Sequence, residues 1–133
     1  MRIFLDTNVL ASSIATRGLC SEVLESVLHD HELLTCDPLL AELERVLATK
    51  LRLPKALTTD FLALLRAEGH FVQAQTAPSV RIKDPDDIPI VASAIAGGGD
   101  VFVTGDKALL ALGEIDGLPI VSPRELWIRL AGL

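Results

Sequence analysis

Strand-like and helix-like runs alternate along this chain, and that alternation constrains its fold more than any other feature. Arg2–Leu5 is a short apolar run that ends at Asp6, with the residue types of a strand. After Gly18, Val23, Leu24, Val27 and Leu28 recur at the spacing of one helical face. Glu32–Thr35 reads as a second strand. Asp37-Pro38 then opens a helix, with Asp as N-cap and Pro in the first turn, and Leu39, Leu40, Leu43, Val46 and Leu47 as its apolar face. A further helix starts at Pro54, runs to about Glu68 and stops at Gly69. Residues 70–74 suggest a third strand, 76–87 a polar loop, and 88–96 a buried helix whose small residues allow close packing on a sheet. Val101–Val103 is a fourth strand, followed by Thr104-Gly105-Asp106 and a short helix Lys107–Leu112. Residues 119–121 make a fifth strand, and Ser122-Pro123-Arg124-Glu125 has the form of a capping box for a last helix. Strands alternating with helices imply a parallel sheet covered on both faces, here of four to five strands in one α/β domain over 1–133.

In such sheets ligands bind at the carboxyl ends of the strands, where the strand order reverses. Two strands here end in polar residues, Asp6-Thr7-Asn8 and Thr104-Gly105-Asp106. Each acid has a plain structural reading. Asp6, Asp87 and Asp106 all stand where helices open, and an aspartate there is an ordinary N-cap. Together they suggest more, because carboxylates gathered at one sheet end repel one another unless a cation neutralises them. A cluster of oxygen donors suits Mg²⁺ or Mn²⁺, and no Cys or His stands near these acids in sequence to favour zinc. Divalent ions held this way can activate water against a phosphodiester, leaving a 5′-phosphate and a 3′-hydroxyl.

The net charge of −6 is unusual for a nucleic-acid enzyme, although two divalent cations at an acidic site would offset four of these charges. With four Phe, one Trp and no Tyr, the chain has little to stack bases on, which counts against a pure single-strand binding module. Half the residues are hydrophobic, enough for a core of aliphatic side chains. Cys20 and Cys36 lack a metal-ligand spacing and read as free thiols, which suits a reducing compartment. No apolar run of signal-peptide length opens the chain, and its longest uncharged apolar stretch, 88–99, is shorter than the ~20 residues of a membrane helix. A soluble, cytoplasmic protein with no membrane partner is the expectation.

Three segments in order, IFLDTNVL, CDPLLAELERVL and DPDDIPIVASAIAGGGDVFVTGDKALL, resemble the PIN-domain family, particularly the small prokaryotic toxins of toxin–antitoxin pairs known as the VapC-like group. The resemblance covers nearly the whole chain. It implies a three-layer α/β/α fold and a Mg²⁺- or Mn²⁺-dependent endoribonuclease whose metal site is built from Asp6, Glu42, Asp87 and Asp106. It also implies that Asn8 and Thr104 orient carboxylates or the attacking water, that a cognate antitoxin covers or distorts the site, and that the chain forms a homodimer. Periodicity leaves Glu42 and Glu44 on the two margins of one apolar face, and only the resemblance selects Glu42. Asp84 is either a supporting acid or a turn residue. Two departures stand out: Asp37-Pro38 where relatives often carry Ser or Thr before the proline, and Ile88-Pro89 where they often carry Asn and no proline. The second could shift Asp87.

Lys50, Arg52 and Lys107 are ordinary surface cations or contacts to RNA phosphates. His29 and His31 flank Asp30 and read as the end of a polar helix face. Gly97-Gly98-Gly99 lacks the Lys-Ser/Thr of a phosphate-binding loop and reads as a helix stop. Two other classes of function stay open. Asp6 could be the nucleophile of a phosphohydrolase, although the haloacid-dehalogenase pattern places an Asp where Asn8 stands. The fold could also serve as a non-catalytic RNA-binding or scaffold module.

Overall fold

Ile3, Phe4 and Leu5 are consecutive and all fully buried, so the strand they form is covered on both faces. This strand, β1 (Arg2–Leu5), lies at the centre of a sheet with β2 (Glu32–Thr35), β3 (His70–Phe71), β4 (Val101–Val103), β5 (Glu114–Ile115) and β6 (Leu118–Val121). The computed structural model describes residues 1–74 and 76–132, and the sheet order in it is β3-β2-β1-β4-β6-β5. The β1–β2, β1–β4, β2–β3 and β4–β6 pairings are parallel, and only β5–β6 is antiparallel. Phe4 pairs with Phe102 across β1 and β4, and their rings stack with centroids 5.3 Å apart.

The helices are α1 (Thr7–Ala15), α2 (Leu19–Asp30), α3 (Asp37–Thr49), α4 (Lys55–Glu68), α5 (Asp87–Ala96), α6 (Lys107–Leu112) and α7 (Pro123–Leu130). Helix α1 packs on α2 and α3, α2 also on α7, and α5 on β2 and α3. The small, buried Ala92, Ser93 and Ala94 permit the close approach of α5. Ser122 and Glu125 form the expected capping box of α7. The α/β class and the mostly parallel central sheet are those expected, and among the described residues no helix is long and apolar enough to cross a membrane.

The local differences have identifiable causes. The third strand stops at Phe71 instead of 74 because its partner β2 stops at Thr35, whose carbonyl accepts the last rung from Val72 N at 2.9 Å. The sheet gains β5 through a tight turn at Asp116-Gly117, both with positive φ (49° and 85°), the pattern of a two-residue hairpin turn. That Asp-Gly pair was available in the sequence as a hairpin signal. Cys36, not Asp37, occupies the N-cap position of α3, with Asp37 and Pro38 in its first turn. Asp86 precedes α5 and Asp87 is its first residue, so Asp87 is not a cap. Pro89 falls in that same first turn, where a missing N–H costs nothing.

Candidate active site

The chain traces β1, β2 and β3 outward on one side, then crosses to β4 and β6 on the other, so the strand order reverses between β1 and β4. Asp6 follows β1 and Thr104-Gly105-Asp106 follows β4, which brings both sequence signals to the point where the sheet opens a crevice. Backbone bonds extend the ladder to the site itself, with Asp6 N donating to Val103 O (2.9 Å) and Thr104 N to Val121 O (3.0 Å).

Asp6 is 3 % exposed and accepts three hydrogen bonds. Thr7 N donates to Oδ1 (2.8 Å), while Thr104 Oγ1 (2.7 Å) and Asn8 Nδ2 (3.2 Å) donate to Oδ2. Asn8 also receives Gly105 N on Oδ1 (2.8 Å), and Thr104 Oγ1 receives Asp106 N (3.0 Å). These contacts fasten the β1–α1 junction to the β4–α6 junction. A Cβ on Gly105 would lie 3.3 Å from Asn8 Oδ1, so the absence of a side chain there makes the close approach possible. Asp106 caps α6, its Oδ1 receiving Ala108 N (2.7 Å) and Leu109 N (3.2 Å). The cap reading is therefore correct for Asp6 and Asp106, and it coexists with a place in the site.

Asp6, Glu42, Asp87 and Asp106, contributed by four separate stretches of chain, line one cleft of about 600 Å³ together with Asn8, Asp84 and Lys50. Glu42 on α3 reaches it and Glu44, which is exposed, does not. Asp84 does both things left open for it. It closes a turn, accepting Asp86 N on Oδ1 at 3.0 Å, and it stands close enough to Asp87 to disfavour its charge. Arg52 and Lys107 do not line this cleft. His29 pairs with Asp30 at 2.9 Å on the surface, and both cysteines are free.

The cleft is electrostatically uncomfortable for its acids. Burial, then Asp6, Asp84, Asp106 and Glu42, push the Asp87 carboxyl from 3.8 up to about 7. Burial also raises Asp6; its bonds to Thr104 and Thr7 oppose that, and Glu42 and Asp106 add to it. Acids so placed fit a hard divalent cation by donor chemistry. Among the described residues no three acidic, His or Cys side chains already converge on one point as a finished coordination set. That arrangement still suits Mg²⁺, which keeps several waters and needs only one or two carboxylates.

An open, mostly parallel α/β sheet with a carboxylate cleft at its switch point defines the class: an α/β domain with an acidic site suited to hard cations. This chain belongs to the PIN-domain family, whose model matches residues 2–108. PIN domains are generally nucleases and typically use divalent metal ions. The fold is similar to that of VapBC2 from Rickettsia felis, solved bound to a DNA fragment from their promoter, with a TM-score of 0.66 and 16 % identity over 92 % of this chain and 98 % of that one. It is similar also to PAE2754 from Pyrobaculum aerophilum, with a TM-score of 0.62 and 18 % identity over 100 % of this chain and 91 % of that one. Comparison with curated protein sequences gives no significant match.

Arg45, Arg81 and Lys83, which line this cleft or the one adjoining it, were not singled out in the sequence. The available signal was Arg81-Ile82-Lys83, a single apolar residue between two cations in an otherwise polar loop.

Proposed function

We propose that this chain is a Mg²⁺- or Mn²⁺-dependent endoribonuclease, a single PIN domain acting as the toxin of a toxin–antitoxin pair. The observation that carries this reading is the convergence of Asp6, Glu42, Asp87 and Asp106 on one cleft at the strand switch point. A divalent ion bound there would supply Lewis-acid activation of water and neutralise charge on the phosphodiester. The chain's own residues prepare the place. Asp6 is a fixed acid, held by Thr104, Asn8 and Thr7. Glu42, Asp87 and Asp106 are half-buried and reach solvent, so they would hold the ion and its waters. Burial and the neighbouring acids raise the Asp87 carboxyl to about 7, and positive charge entering the cleft would favour its ionised form.

An aspartyl-phosphate mechanism at Asp6 fits less well. Three donors already occupy that carboxylate, and attack on a phosphorus would break its bonds to Thr104 and Asn8. An antitoxin protein and a second copy of the chain are the partners this reading expects. The similarity in fold to VapBC2 supports the first of these.

The test is cleavage of a labelled single-stranded RNA by the parent and by Asp106→Asn, with Mg²⁺, with Mn²⁺ and with EDTA. Asn caps a helix as well as Asp does, so this variant removes the charge and keeps α6. Asp6→Ala would also lose a buried cap and is the poorer probe. Metal-dependent cutting that disappears in Asp106→Asn at unchanged melting temperature supports the site. Cutting at the parent rate by the variant would sink it. A folded parent that neither cuts nor binds Mn²⁺ would point to the scaffold reading instead.

A further inference from the structure

The acidic cleft adjoins a second one of about 530 Å³, and the two share Asp84, Asp87 and Asp106. Each carries its own pair of cations. Arg45 and Lys50 line the first, Arg81 and Lys83 the second. In a chain of net charge −6, these four stand beside acids yet pair with none of them. The ion pairs among the described residues are Arg2–Glu32, His29–Asp30 and Arg66–Asp37.

Local structure holds both pairs in place. Arg45 lies one helical turn beyond Glu42 on α3, and Lys50 caps that helix, about 7 Å further along its axis. Arg81 and Lys83 flank Ile82, which is 6 % exposed and belongs to the core, so its burial turns both neighbours outward. The loop is fastened at its start, where Ser79 N donates to Asp116 Oδ2 (2.8 Å) and Ser79 Oγ to Oδ1. It is fastened at its end by the turn at Asp84. A segment anchored at three points offers its cations in a fixed place and needs little ordering when a ligand arrives.

We propose that a single RNA strand runs through both clefts, with the phosphate to be cut at the shared acids. Arg45 and Lys50 hold phosphates toward one end, and Arg81 and Lys83 hold phosphates toward the other. This rests on the nuclease reading and extends it, by naming the chain's grip on its substrate. Four cations and no aromatic side chain lining either cleft mean that the grip is on the backbone, so it tolerates many base sequences and weakens steeply with salt.

The experiment titrates a labelled 20-nucleotide single-stranded RNA against the Asp106→Asn protein in Mg²⁺, where cutting is slowed, at several salt concentrations. Two double variants are added to that background, Arg45→Gln/Lys50→Gln and Arg81→Gln/Lys83→Gln. Each should flatten the plot of log affinity against log salt by about 1.4, since a phosphate contact on a single strand is worth ~0.7 of slope. A fourfold rise in salt would then cost each variant about sevenfold less affinity than it costs the background. Arg124→Gln/Arg129→Gln, on the exposed face of α7, should leave the slope unchanged. RNA binding with an unaltered slope in either cleft pair overturns the two-sided grip while the nuclease reading stands. An equal fall in the α7 control overturns it too, because net charge alone would explain the effect. A parent protein that neither binds nor cuts the RNA removes both readings together.

Discussion

Replacing Asp87 by Asn should stabilise the protein in the absence of divalent metal, a result opposite to that of most substitutions of a partly buried polar residue. Asp87 caps nothing, and among the described residues its carboxylate accepts no hydrogen bond that Asn would lose. Its carboxyl sits at about 7 in the folded chain against 3.8 as the ordinary value. The sign follows from linkage. Below pH 3.8 both states hold the proton and the group is neutral in its effect. As pH rises, the unfolded chain releases the proton first, so folding loses stability progressively until the folded carboxyl also ionises near 7. A gap of about three pH units corresponds to at most ~4 kcal/mol, and screening of a half-exposed group reduces this to about 1–2 kcal/mol. Thermal unfolding in EDTA should therefore show Asp87→Asn level with the parent at pH 3.5 and higher by about 4–8 °C at pH 8. Mn²⁺ should reverse the order at pH 8, because the parent gains binding energy that the variant cannot. An Asn variant no more stable than the parent at pH 8 in EDTA would refute the claim that the four neighbouring acids and burial strain this carboxylate.

Two further substitutions probe the frame around the site. Thr104→Val removes the hydroxyl that donates to Asp6 in a buried bond and accepts from Asp106 N in a partly buried one, and should cost about 1–3 kcal/mol in urea unfolding. Thr104→Ser should recover most of that loss, and a Val variant as stable as the parent would show the bonds to be unimportant. Gly69→Ala would set a Cβ 2.5 Å from Leu65 O and 2.9 Å from Thr35 Cγ2, so its melting temperature should fall by about 4–12 °C, equivalent to ~1–3 kcal/mol. An unchanged melting temperature would mean that the α4–β3 junction relaxes freely.

The parts legible in the sequence were those decided locally. Apolar runs ending in Asp mark strand ends and helix starts within a few residues, so Asp6 and Asp106 could be placed at converging strand ends from the sequence alone. Lys107–Leu112 lies between an Asp that starts the helix and a Gly that stops it, and Ser122–Glu125 carries the start signal of α7. Glu42 was different. It and Glu44 sit on the two margins of one apolar stripe, and which margin faces the cleft depends on α1 and α5 packing beside α3. Periodicity contains no such information. Cys36 took the cap position from Asp37 because β2 ends one residue earlier than an Asp cap would need, a matter of where the sheet stops. The cations at 45, 81 and 83 had no assignable role in the sequence for a related reason. An exposed charge acquires meaning only from what the fold sets beside it.

The sheet's two borders carry a consequence for life at high concentration. Each edge strand, β3 and β5, is only two residues long. An exposed strand edge offers unpaired N–H and C=O groups onto which another chain can add, the first step toward aggregation. Here the longer, mostly apolar strands lie inside, and the borders offer a stranger very little ladder to extend. The native protein is thus guarded against edge-to-edge growth by the shortness of both borders, to which the exposed carboxylate of Glu114 adds on β5. That guard exists only once the sheet is complete. Until β3 and the β5–β6 hairpin have docked, the chain exposes the flanks of β2 and β4, which is when crowding is most hazardous to it.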